Sequence, residues 1–331
     1  MEKLRVGVLG LGLGRQRALG YIQNENAKLC AVCDINEKKV KQFTDENLGT
    51  KGYTDFETML KQEKLDIVNI STPDWMHLEH STLALQYGCN VLLEKPMVTS
   101  LDDVKAIIKA VDASGMKLMV GQNYRRTPMA VHAKQLLTEG TLGDIFHVVS
   151  TTYQNKFNQF ANSPWYASKD HPRAALLGTG IHSVDMIRWL IGEVEEVFAY
   201  SNHLAYPNFP DDDFITAIFK FNNGIIGRVD VAYASVLPRG TDDMSLKLYG
   251  TKGSLDNDKV FFNDTTPAQW ERREMPSMKD SFWQEVDYFV ECIINNQNPA
   301  VDVREASRNV SACLAGVESA RTGKPVKPER F

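Results

Sequence analysis

Residues 4–19 read LRVGVLGLGLGRQRAL, and this stretch decides how the N-terminal part of the chain folds. The β-rich run Leu4–Leu9 predicts a strand, and the residues after the glycines predict a helix. Gly10 permits the tight turn between them, and Gly12 lets the backbone come close to a pyrophosphate at the helix N terminus. The pattern is typical of a strand–turn–helix unit that binds a dinucleotide.

Two features refine this interpretation. The usual fingerprint has its third glycine at position 15, where this chain has Arg15, and Gly14 lies one residue early. Asp34 ends the second predicted strand, Lys28–Cys33, at the place where an acidic residue binds the adenosine ribose diol. A carboxylate there repels a 2′-phosphate and favours NAD. A nearby arginine accommodates that phosphate, so NADP stays open as the cofactor.

Strand-like and helix-like patterns continue to alternate as far as Val120. The runs 66–70 and 90–93 are nearly all apolar, which is typical of strands that helices cover on both faces. Alternating β and α units predict a parallel sheet with right-handed crossovers. We therefore expect an α/β, doubly wound Rossmann domain over residues 1–122 that binds NAD or NADP.

The apolar period changes to two from about Ile145. Long strands are predicted over residues 145–153, 194–204, 214–221, 225–235 and 245–249. Asn223 and Gly224 separate two of these strands and predict a hairpin turn. Residues 123–331 are therefore expected to form an α+β domain for substrate binding and oligomerisation, with a large, mostly antiparallel open sheet.

One face of this open sheet needs a partner. Predicted helices over residues 181–191, 282–295 and 303–322 are expected to cover the other face only. A second subunit is the expected cover, giving a homodimer or a homotetramer. Residues 155–173 hold several aromatic side chains without a clear period, and we interpret them as a loop over the site. Two roles are open for Trp165 and Arg173 in this loop: they reach the cofactor, or they pack at the surface.

Composition and charge limit the classes of partner that are expected. The formal charge is −5 and no basic block occurs, so no nucleic-acid partner is expected. No apolar run approaches the roughly 20 residues of a membrane span, and the N terminus leads directly into a strand, so a cytoplasmic location is expected.

Cys30 and Cys33 lie three apart on a predicted strand and point to opposite faces, which favours two buried thiols over a redox pair.

Three further motifs carry a family resemblance. They are Ser71-Thr72-Pro73 with His77 downstream, Glu94-Lys95-Pro96 at a strand end, and Gly180-Ile-His182 followed by Asp185. Together with the glycine turn they closely resemble the Gfo/Idh/MocA family, the glucose–fructose oxidoreductase and inositol dehydrogenase group. The resemblance implies an oxidoreductase that uses NAD or NADP on a hydroxyl-bearing carbon of a sugar, an inositol or a related polyol.

The resemblance also implies roles for residues. Lys95 reaches the reacting oxygen, His182 moves the proton, and the Lys95–Pro96 peptide bond is cis. The residues expected to contact substrate are Tyr124, Arg125 and Asp185. The residues expected to bind the cofactor are Gly10, Leu11, Gly12, Gly14, Arg15, Asp34, Ser71, Thr72, Pro73, His77, Glu94, Lys95, Asn123 and Trp165.

The chemistry of these groups agrees with the implied roles. An ammonium at the C-terminal end of a parallel strand, such as Lys95, stabilises a developing alkoxide. His182 falls in the first turn of a predicted helix, whose positive end keeps the ring neutral and able to accept a proton. Asp185 lies at i+3 from His182, where it orients the ring, binds a substrate hydroxyl or balances charge.

One departure from the family pattern keeps alternatives open. The family has Asp two residues before the glycine of the histidine motif, and this chain has Gly178 there. We expect the vacated volume to admit a bulkier substrate or an ordered water. An NAD-retaining glycosidase or lyase that works by transient oxidation and elimination is one alternative, and a non-catalytic sensor is another.

His77 and His80 lack a third ligand at suitable spacing, so no metal is expected.

Overall fold

The computed structural model describes residues 2–238, 243–263, 268–275 and 277–331. The chain separates into two compact units. The first unit consists of Met1–Asn123 and Lys279–Ser307, and the second consists of Tyr124–Met278 and Arg308–Phe331.

A parallel sheet forms the centre of the first unit. Its strands are β1 (Leu4–Leu9), β2 (Ala27–Cys33), β3 (Lys51–Tyr53), β4 (Ile67–Ile70), β5 (Asn90–Leu93) and β6 (Leu118–Val120). Among the described residues the strand order is β3-β2-β1-β4-β5-β6, and every pair is parallel. This is the order of a dinucleotide-binding fold, whose order reverses between β1 and β4. The predicted Rossmann fold is confirmed.

Helices join these strands. They are α1 (Gly14–Gln23), α2 (Glu37–Glu46), α3 (Phe56–Glu63), α4 (His77–Gln86) and α5 (Leu101–Ser114), with a 3₁₀ turn at Asp74–Met76 before α4. On α2, Val40 and Phe43 are buried while the charged positions face solvent. This apolar pair follows the helical period and explains why α2 packs on the sheet.

The second unit contains a larger, mostly antiparallel sheet. Its strands are β7 (Ile145–Tyr153), β8 (Val194–Asn202), β9 (Phe214–Phe221), β10 (Ile226–Ala232), β11 (Asp243–Gly250), β12 (Gly253–Asp256), β13 (Lys259–Phe262) and β14 (Glu271–Arg272). Within the described ranges their order is β14-β13-β12-β11-β7-β10-β9-β8. β7 and β10 pair in parallel. The predicted open sheet is confirmed, and the Asn223–Gly224 turn joins β9 to β10 with Gly224 at φ +84°.

Helices of the second unit are α6 (Pro128–Thr138), α7 (Phe157–Asn162), α8 (Ala175–Gly178) and α9 (Ile181–Ile191), with 3₁₀ turns at Asn123–Arg126 and Pro164–Ala167. Two helices near the C terminus are α10 (Ser281–Ile294), which belongs to the first unit, and α11 (Val303–Thr322), which begins in the first unit and ends in the second. α9 is buried along most of its length. Ser183 on α9 contacts the hydroxyls of Ser150 and Thr152 on β7, so polar pairs as well as apolar packing join α9 to the sheet.

Two expectations about these elements were wrong. Residues 155–173 are not an irregular loop, because α7 and a 3₁₀ turn form within them. The predicted helix over 282–295 exists as α10, but it packs in the first unit rather than on the second sheet. Val286, Phe289 and Val290 belong to one buried cluster with side chains of the parallel sheet and α1.

A buried ion pair accompanies this packing of α10. Arg17 of α1 is fully buried, and its Nη2 donates to Glu285 Oε2 of α10 at 2.7 Å. Its Nη1 donates to Glu94 at the end of β5. Burial would lower the pKa of Arg17, but the two carboxylates raise it above its usual value. A side chain on Gly121 would overlap the guanidinium, so the position must be glycine.

The other face of the second sheet carries a shallow depression. Its lining residues are Phe146, His147, Val149, Thr151, Arg228, Lys247 and Tyr249. Phe146 is 59% exposed, and Ile218 on β9 is 39% exposed. Within the described ranges, no helix has the length and apolar composition needed to cross a membrane.

Arg17→Met should lower the free energy of unfolding by about 3–5 kcal/mol, because it leaves Glu94 and Glu285 buried without their cation. Urea denaturation followed by circular dichroism measures the change. Arg15→Met is the matched control on the same helix. Its partner Glu46 is 43% exposed, so the control should change stability by less than about 1 kcal/mol. Equal losses of unfolding free energy in the two variants would show that the buried ion pairs of Arg17 stabilise the protein no more than the exposed pair of Arg15.

Candidate active site

The predicted site residues fall into two sets, one in each unit. In the first unit, the glycine turn has the geometry that a dinucleotide needs. Gly10 adopts φ +87°, and a Cβ there would overlap the Ser71 carbonyl oxygen. A Cβ on Gly12 would meet nothing within 4 Å, so this position faces open space. A Cβ on Gly14 would lie 3.1 Å from the Ser71 side chain, so Gly14 allows close packing of the helix on the strand ends.

The N terminus of α1 also suits an anion. Leu13 is the N-cap residue and makes no side-chain hydrogen bond to the helix, and the first turn has no acidic residue. Helix N termini present N–H groups and a positive dipole end, and they bind phosphates for this reason. The turn therefore fits the pyrophosphate of NAD on structural grounds.

Asp34 lies at the end of β2 and joins the turn. Its Oδ2 accepts from the backbone N–H of Leu11 at 2.7 Å, and its Oδ1 accepts from that of Asn36 at 2.8 Å. Each carboxylate oxygen has a second lone pair, so these bonds are compatible with additional bonds from a ribose diol. The predicted position of Asp34 beside the glycine turn is thus observed, together with a bond to Leu11 that the sequence did not indicate.

Arg15 points to a different partner. Its Nη2 donates to Glu46 Oε2 of α2 at 2.5 Å, and its guanidinium lies 5.4 Å from the centre of the Phe43 ring. This ion pair holds the charge of Arg15 toward α2. A contact of Arg15 with the cofactor stays a prediction.

His77 connects the two loops that follow β4 and β5. Its Nε2 lies 3.0 Å from the Thr72 carbonyl oxygen, and its Nδ1 lies 2.8 Å from the Pro96 carbonyl oxygen. The ring is almost completely buried, and burial lowers the pKa of His77 against the opposing effect of Asp74. The Lys95–Pro96 bond is cis, which confirms the implied geometry.

His80 lies on the same helix as His77, but the two rings contact different groups. Its Nδ1 lies 3.0 Å from the Thr72 hydroxyl, whereas both ring nitrogens of His77 contact backbone carbonyls. Among the described residues, no three His, Cys, Asp or Glu side chains come together as a metal-binding group.

Glu94 and Lys95 are anchored by Arg17, a residue that the sequence analysis missed. Burial would raise the pKa of Glu94, but the charges of Arg17 and Lys95 outweigh it and hold this pKa below its usual range. Glu94 Oε2 also accepts from the backbone N–H of Lys95 at 3.0 Å. Arg17 lies on the buried stripe of α1 beside Ala18 and Tyr21. A charged residue within an apolar stripe was the signal available in the sequence.

In the second unit, His182 lies in the first turn of α9 and is 6% exposed. The Tyr124 ring stacks on the imidazole, with ring centroids 4.0 Å apart and planes within 8°. Such stacking holds the imidazole in one plane. The sequence placed both residues in the site but did not indicate this contact.

Arg125 and Asp185 bind each other. Arg125 Nε donates to Asp185 Oδ2 at 2.8 Å and Nη2 donates to Oδ1 at 2.6 Å, a bidentate pair. Asn309 Nδ2 adds a bond to Asp185 Oδ1 at 2.6 Å. Asp185 is completely buried, and these bonds favour charge balance among its three suggested roles. Contact of either residue with substrate stays a prediction.

Trp165 and Asn123 have partners within their own units. Trp165 stacks on Tyr166 with centroids 3.7 Å apart, and the guanidinium of Arg173 lies 5.7 Å from the Trp165 ring centre. Asn123 Nδ2 donates to Ser281 Oγ at 3.1 Å. The predicted contacts of Trp165 and Asn123 with the cofactor stay predictions.

The expectation about Gly178 was wrong. A Cβ at this position would overlap the Tyr233 hydroxyl and lie 2.9 Å from Arg173 Nε. The Tyr233 hydroxyl and the Arg173 guanidinium therefore occupy the space in which a side chain at position 178 would begin. The sequence could not indicate Tyr233, because it lies 55 residues away and reaches Gly178 only through the fold.

All five cysteines are buried free thiols. Burial raises the pKa of Cys33 to about 12, which suppresses the thiolate that redox chemistry requires. The interpretation of Cys30 and Cys33 as separate buried thiols agrees with these observations.

Comparison with known proteins gives the class and then the family. Residues 4–122 match the oxidoreductase family with an NAD-binding Rossmann fold. The fold, the glycine turn and this match define an oxidoreductase that depends on NAD or NADP. Residues 130–256 match the GFO/IDH/MocA C-terminal domain. The chain belongs to the Gfo/Idh/MocA family, as its motifs indicated.

Similar proteins cover nearly the whole chain. D-apiose dehydrogenase of Paraburkholderia graminis is 23% identical, over 99% of this chain and 90% of that protein. The scyllo-inositol 2-dehydrogenase (NAD(+)) of Bacillus subtilis is 26% identical, over 98% of this chain and 96% of that protein. An oxidoreductase from Agrobacterium radiobacter, solved with NAD+, L-tartaric acid and magnesium, shares the fold at a TM-score of 0.87 and 21% identity, with 98% of each chain covered. These relatives support a dehydrogenase rather than an NAD-retaining lyase or a sensor.

Asp34→Ala should weaken NAD binding by roughly 10- to 100-fold, since hydrogen bonds to a charged group are lost, and should change NADP binding less. Calorimetry with both dinucleotides measures the two affinities. Asp34→Asn is the matched control, because it keeps an acceptor and removes the charge that repels a 2′-phosphate. If the unmodified chain binds NADP more tightly than NAD, Asp34 does not select the cofactor.

Proposed function

We propose that the protein transfers a hydride between NAD and a hydroxyl-bearing carbon of a sugar, an inositol or a related polyol. The observation that carries this proposal is the anchoring of Glu94 and Lys95 at the end of β5 by buried Arg17, in a unit whose glycine turn fits a dinucleotide. The unit of Met1–Asn123 and Lys279–Ser307 is proposed to provide most of the cofactor contacts, and the unit of Tyr124–Met278 and Arg308–Phe331 is proposed to bind the substrate.

Lys95 is proposed to bind the substrate oxygen. An ammonium beside an alcohol stabilises the alkoxide that develops as the hydride leaves the carbon, and this stabilisation increases toward the transition state. Glu94 accepts from the backbone N–H of Lys95 and is itself held by Arg17, so the start of the Lys95 side chain has a defined position. NAD supplies the hydride acceptor when it is bound.

His182 is the proposed proton acceptor. Its place in the first turn of α9 puts the ring near the positive end of a helix, which disfavours the imidazolium. A neutral ring is the form that accepts a proton from an alcohol. The stacked Tyr124 supports this role, because proton transfer requires a ring in a defined plane.

NAD is the proposed physiological cofactor, in preference to NADP. Asp34 carries its charge beside the glycine turn, where it repels a 2′-phosphate. Arg15, the residue that would accommodate this phosphate, is engaged by Glu46. The remaining proposed cofactor contacts are Gly10, Leu11, Gly12, Gly14, Ser71, Thr72, Pro73, His77, Asn123 and Trp165.

Purified protein mixed with NAD and a panel of sugars, inositols and polyols should produce the absorbance of reduced nicotinamide. Lys95→Ala should lower turnover by about 10²–10³ if the ammonium stabilises the developing charge. NAD affinity, measured by calorimetry, should change little. Lys109→Ala, on the exposed side of α5, is the matched control and should leave turnover unchanged. Full turnover by Lys95→Ala would show that the proposed mechanism is wrong.

We also propose that a second copy of the chain covers the open face of the second sheet. Exposed apolar side chains on that face, such as Ile218 and Tyr200, are what an interface between subunits requires. A homodimer or a homotetramer follows from this arrangement. The five buried free cysteines support a reducing compartment, which is our reason for proposing a cytoplasmic location.

Light scattering should give a mass of two or four times 37.2 kDa at micromolar concentration. Ile218→Glu should dissociate this assembly, because it places an unpaired charge in the proposed interface. Leu204→Glu is the matched control, since Leu204 is 83% exposed in the segment after β8. A 37.2 kDa species for the unmodified chain would contradict the proposal.

A further inference from the structure

Arg15 lies in the glycine turn, but its side chain binds another helix. Its backbone N–H donates to Gly12 O at 3.4 Å, so residues 12–15 form one turn at the start of α1. Asp34 binds the same segment, because its Oδ2 accepts from the backbone N–H of Leu11 at 2.7 Å. In a Rossmann fold, an acidic residue and a nearby arginine at this place distinguish NAD from NADP through the 2′-position of the ribose.

Three features of α2 hold the Arg15 side chain. Arg15 Nη2 donates to Glu46 Oε2 at 2.5 Å, and its guanidinium carbon lies 5.4 Å from the centre of the Phe43 ring. Glu46 is the last residue of α2, and the last turn of this helix has no basic residue of its own. Because the carbonyl end of a helix favours cations, Arg15 supplies a positive charge that this turn lacks.

The Glu46 carboxylate is also held from within α2. Its Oε1 accepts from Gln42 Nε2 at 2.9 Å, so each carboxylate oxygen has a partner. The hydrogen bond from Arg15, followed by that from Gln42, lowers the pKa of Glu46. The carboxylate is therefore ionised at neutral pH, and its charge offsets that of Arg15.

A 2′-phosphate on the cofactor would compete with Glu46 for Arg15. A guanidinium binds carboxylates and phosphates through the same N–H groups on its edge. The side chains of Arg15 and Glu46 are 37% and 43% exposed, so their ion pair is weak enough to exchange. The ion pair thus opposes phosphate binding without preventing it.

The other cation in the first turn of α1 does not have this freedom. Arg17 is fully buried, and its guanidinium binds both Glu94 and Glu285. Among the cations at the start of α1, Arg15 is therefore the one that an exposed phosphate can recruit.

We propose that Glu46 is a specificity-determining residue of the cofactor site, because it binds the arginine that a 2′-phosphate needs and so strengthens the preference for NAD. This inference rests on the proposed function, since it concerns the choice of cofactor at the same site. Two acids then exclude NADP in different ways. Asp34 repels the 2′-phosphate, and Glu46 engages the cation that would bind it.

NADP binding to two variants tests the proposal. Asp34→Asn removes the repulsion and brings NADP binding into the range of calorimetry, and Glu46→Gln is then added to this variant. The second substitution should tighten NADP binding by roughly 2- to 5-fold, the range expected when an exposed ion pair is released. NAD binding should not change, because NAD has no 2′-phosphate. If Glu46→Gln brings no gain in NADP affinity, the proposal is overturned.

Adenosine 2′,5′-bisphosphate and AMP isolate the contribution of the phosphate. The two ligands differ by the 2′-phosphate alone, and neither carries a nicotinamide. Glu46→Gln should tighten binding of the bisphosphate by the same factor as for NADP and leave binding of AMP unchanged. An equal gain for both ligands would show that Glu46 does not act on the 2′-phosphate, which contradicts the proposal.

Asp45→Asn is the matched control for charge. Asp45 is the neighbouring acid on α2 and pairs with Lys41 at 2.8 Å, so this variant loses the same charge without releasing Arg15. It should leave the affinities for NADP and for the bisphosphate unchanged. Equal gains from Asp45→Asn and Glu46→Gln would reveal a general effect of charge and overturn the proposal.

A variant of Arg15 tests whether Glu46 acts through it. In the presence of Arg15→Met, Glu46→Gln should no longer change NADP binding. Lys38 and Lys39 are exposed cations in the first turn of α2, close in sequence to Asp34. A gain that persists without Arg15 would assign the phosphate to such cations and reject the role of Glu46.

The outcomes distinguish this inference from the proposed function. Reduction of NAD by a polyol, with an NADP affinity that Glu46→Gln does not alter, would keep the dehydrogenase and overturn the role of Glu46. A gain in NADP affinity that depends on Arg15, without reduction of either dinucleotide by any member of the panel, would keep the role of Glu46 and overturn the dehydrogenase.

Discussion

Buried Arg17 joins the end of β5 to α10 in the first unit, beside Glu94, which directly precedes the proposed catalytic Lys95. One guanidinium binds Glu94 at the end of β5 and Glu285 on α10, and all three side chains are buried. Two buried carboxylates without a cation would be strongly destabilising, so each of these residues depends on the others. Gly121 leaves the space that the guanidinium needs.

This arrangement explains why a late segment of the chain joins the N-terminal unit. α10 supplies apolar side chains to the core around β1 and α1, and it also supplies Glu285. Apolar packing provides most of the favourable free energy for such an association. The ion pair forms only when α10 packs in one register against the rest of the unit, so it selects that register. The position of Lys95 therefore depends on a helix that lies far along the sequence.

A second polar network organises α9 in the other unit. Arg125 and Asn309 bind Asp185, and Arg188 binds Asn309 and Glu193. These groups are mostly buried, and each has a hydrogen-bonded partner of suitable charge or polarity, as buried polar groups require. The network fixes the rotation of α9 about its axis, and that rotation determines the direction in which His182 is presented.

Local patterns predicted the strands and helices well. Period-two runs gave β7, β9 and β10, apolar runs gave β4 and β5, and the glycine turn gave the β1–α1 unit. The Asn223–Gly224 turn was also recognisable, because positive φ favours these residues. The placement of α10 was wrong, since an amphipathic helix carries no information about which of two sheets it will cover.

The sequence by itself determined the fold class, the family, the dinucleotide turn and the identity of Lys95 and His182 as candidates, because these features depend on residues that are near one another in the chain. Only the tertiary structure showed that Arg17 holds Glu94, that Asp185 is engaged by Arg125 and Asn309, and that Tyr233 and Arg173 surround Gly178. The physical reason is that ion pairs, stacked rings and steric overlap depend on distances of a few ångströms between residues that the chain separates widely. Folding sets these distances, and no local pattern records them.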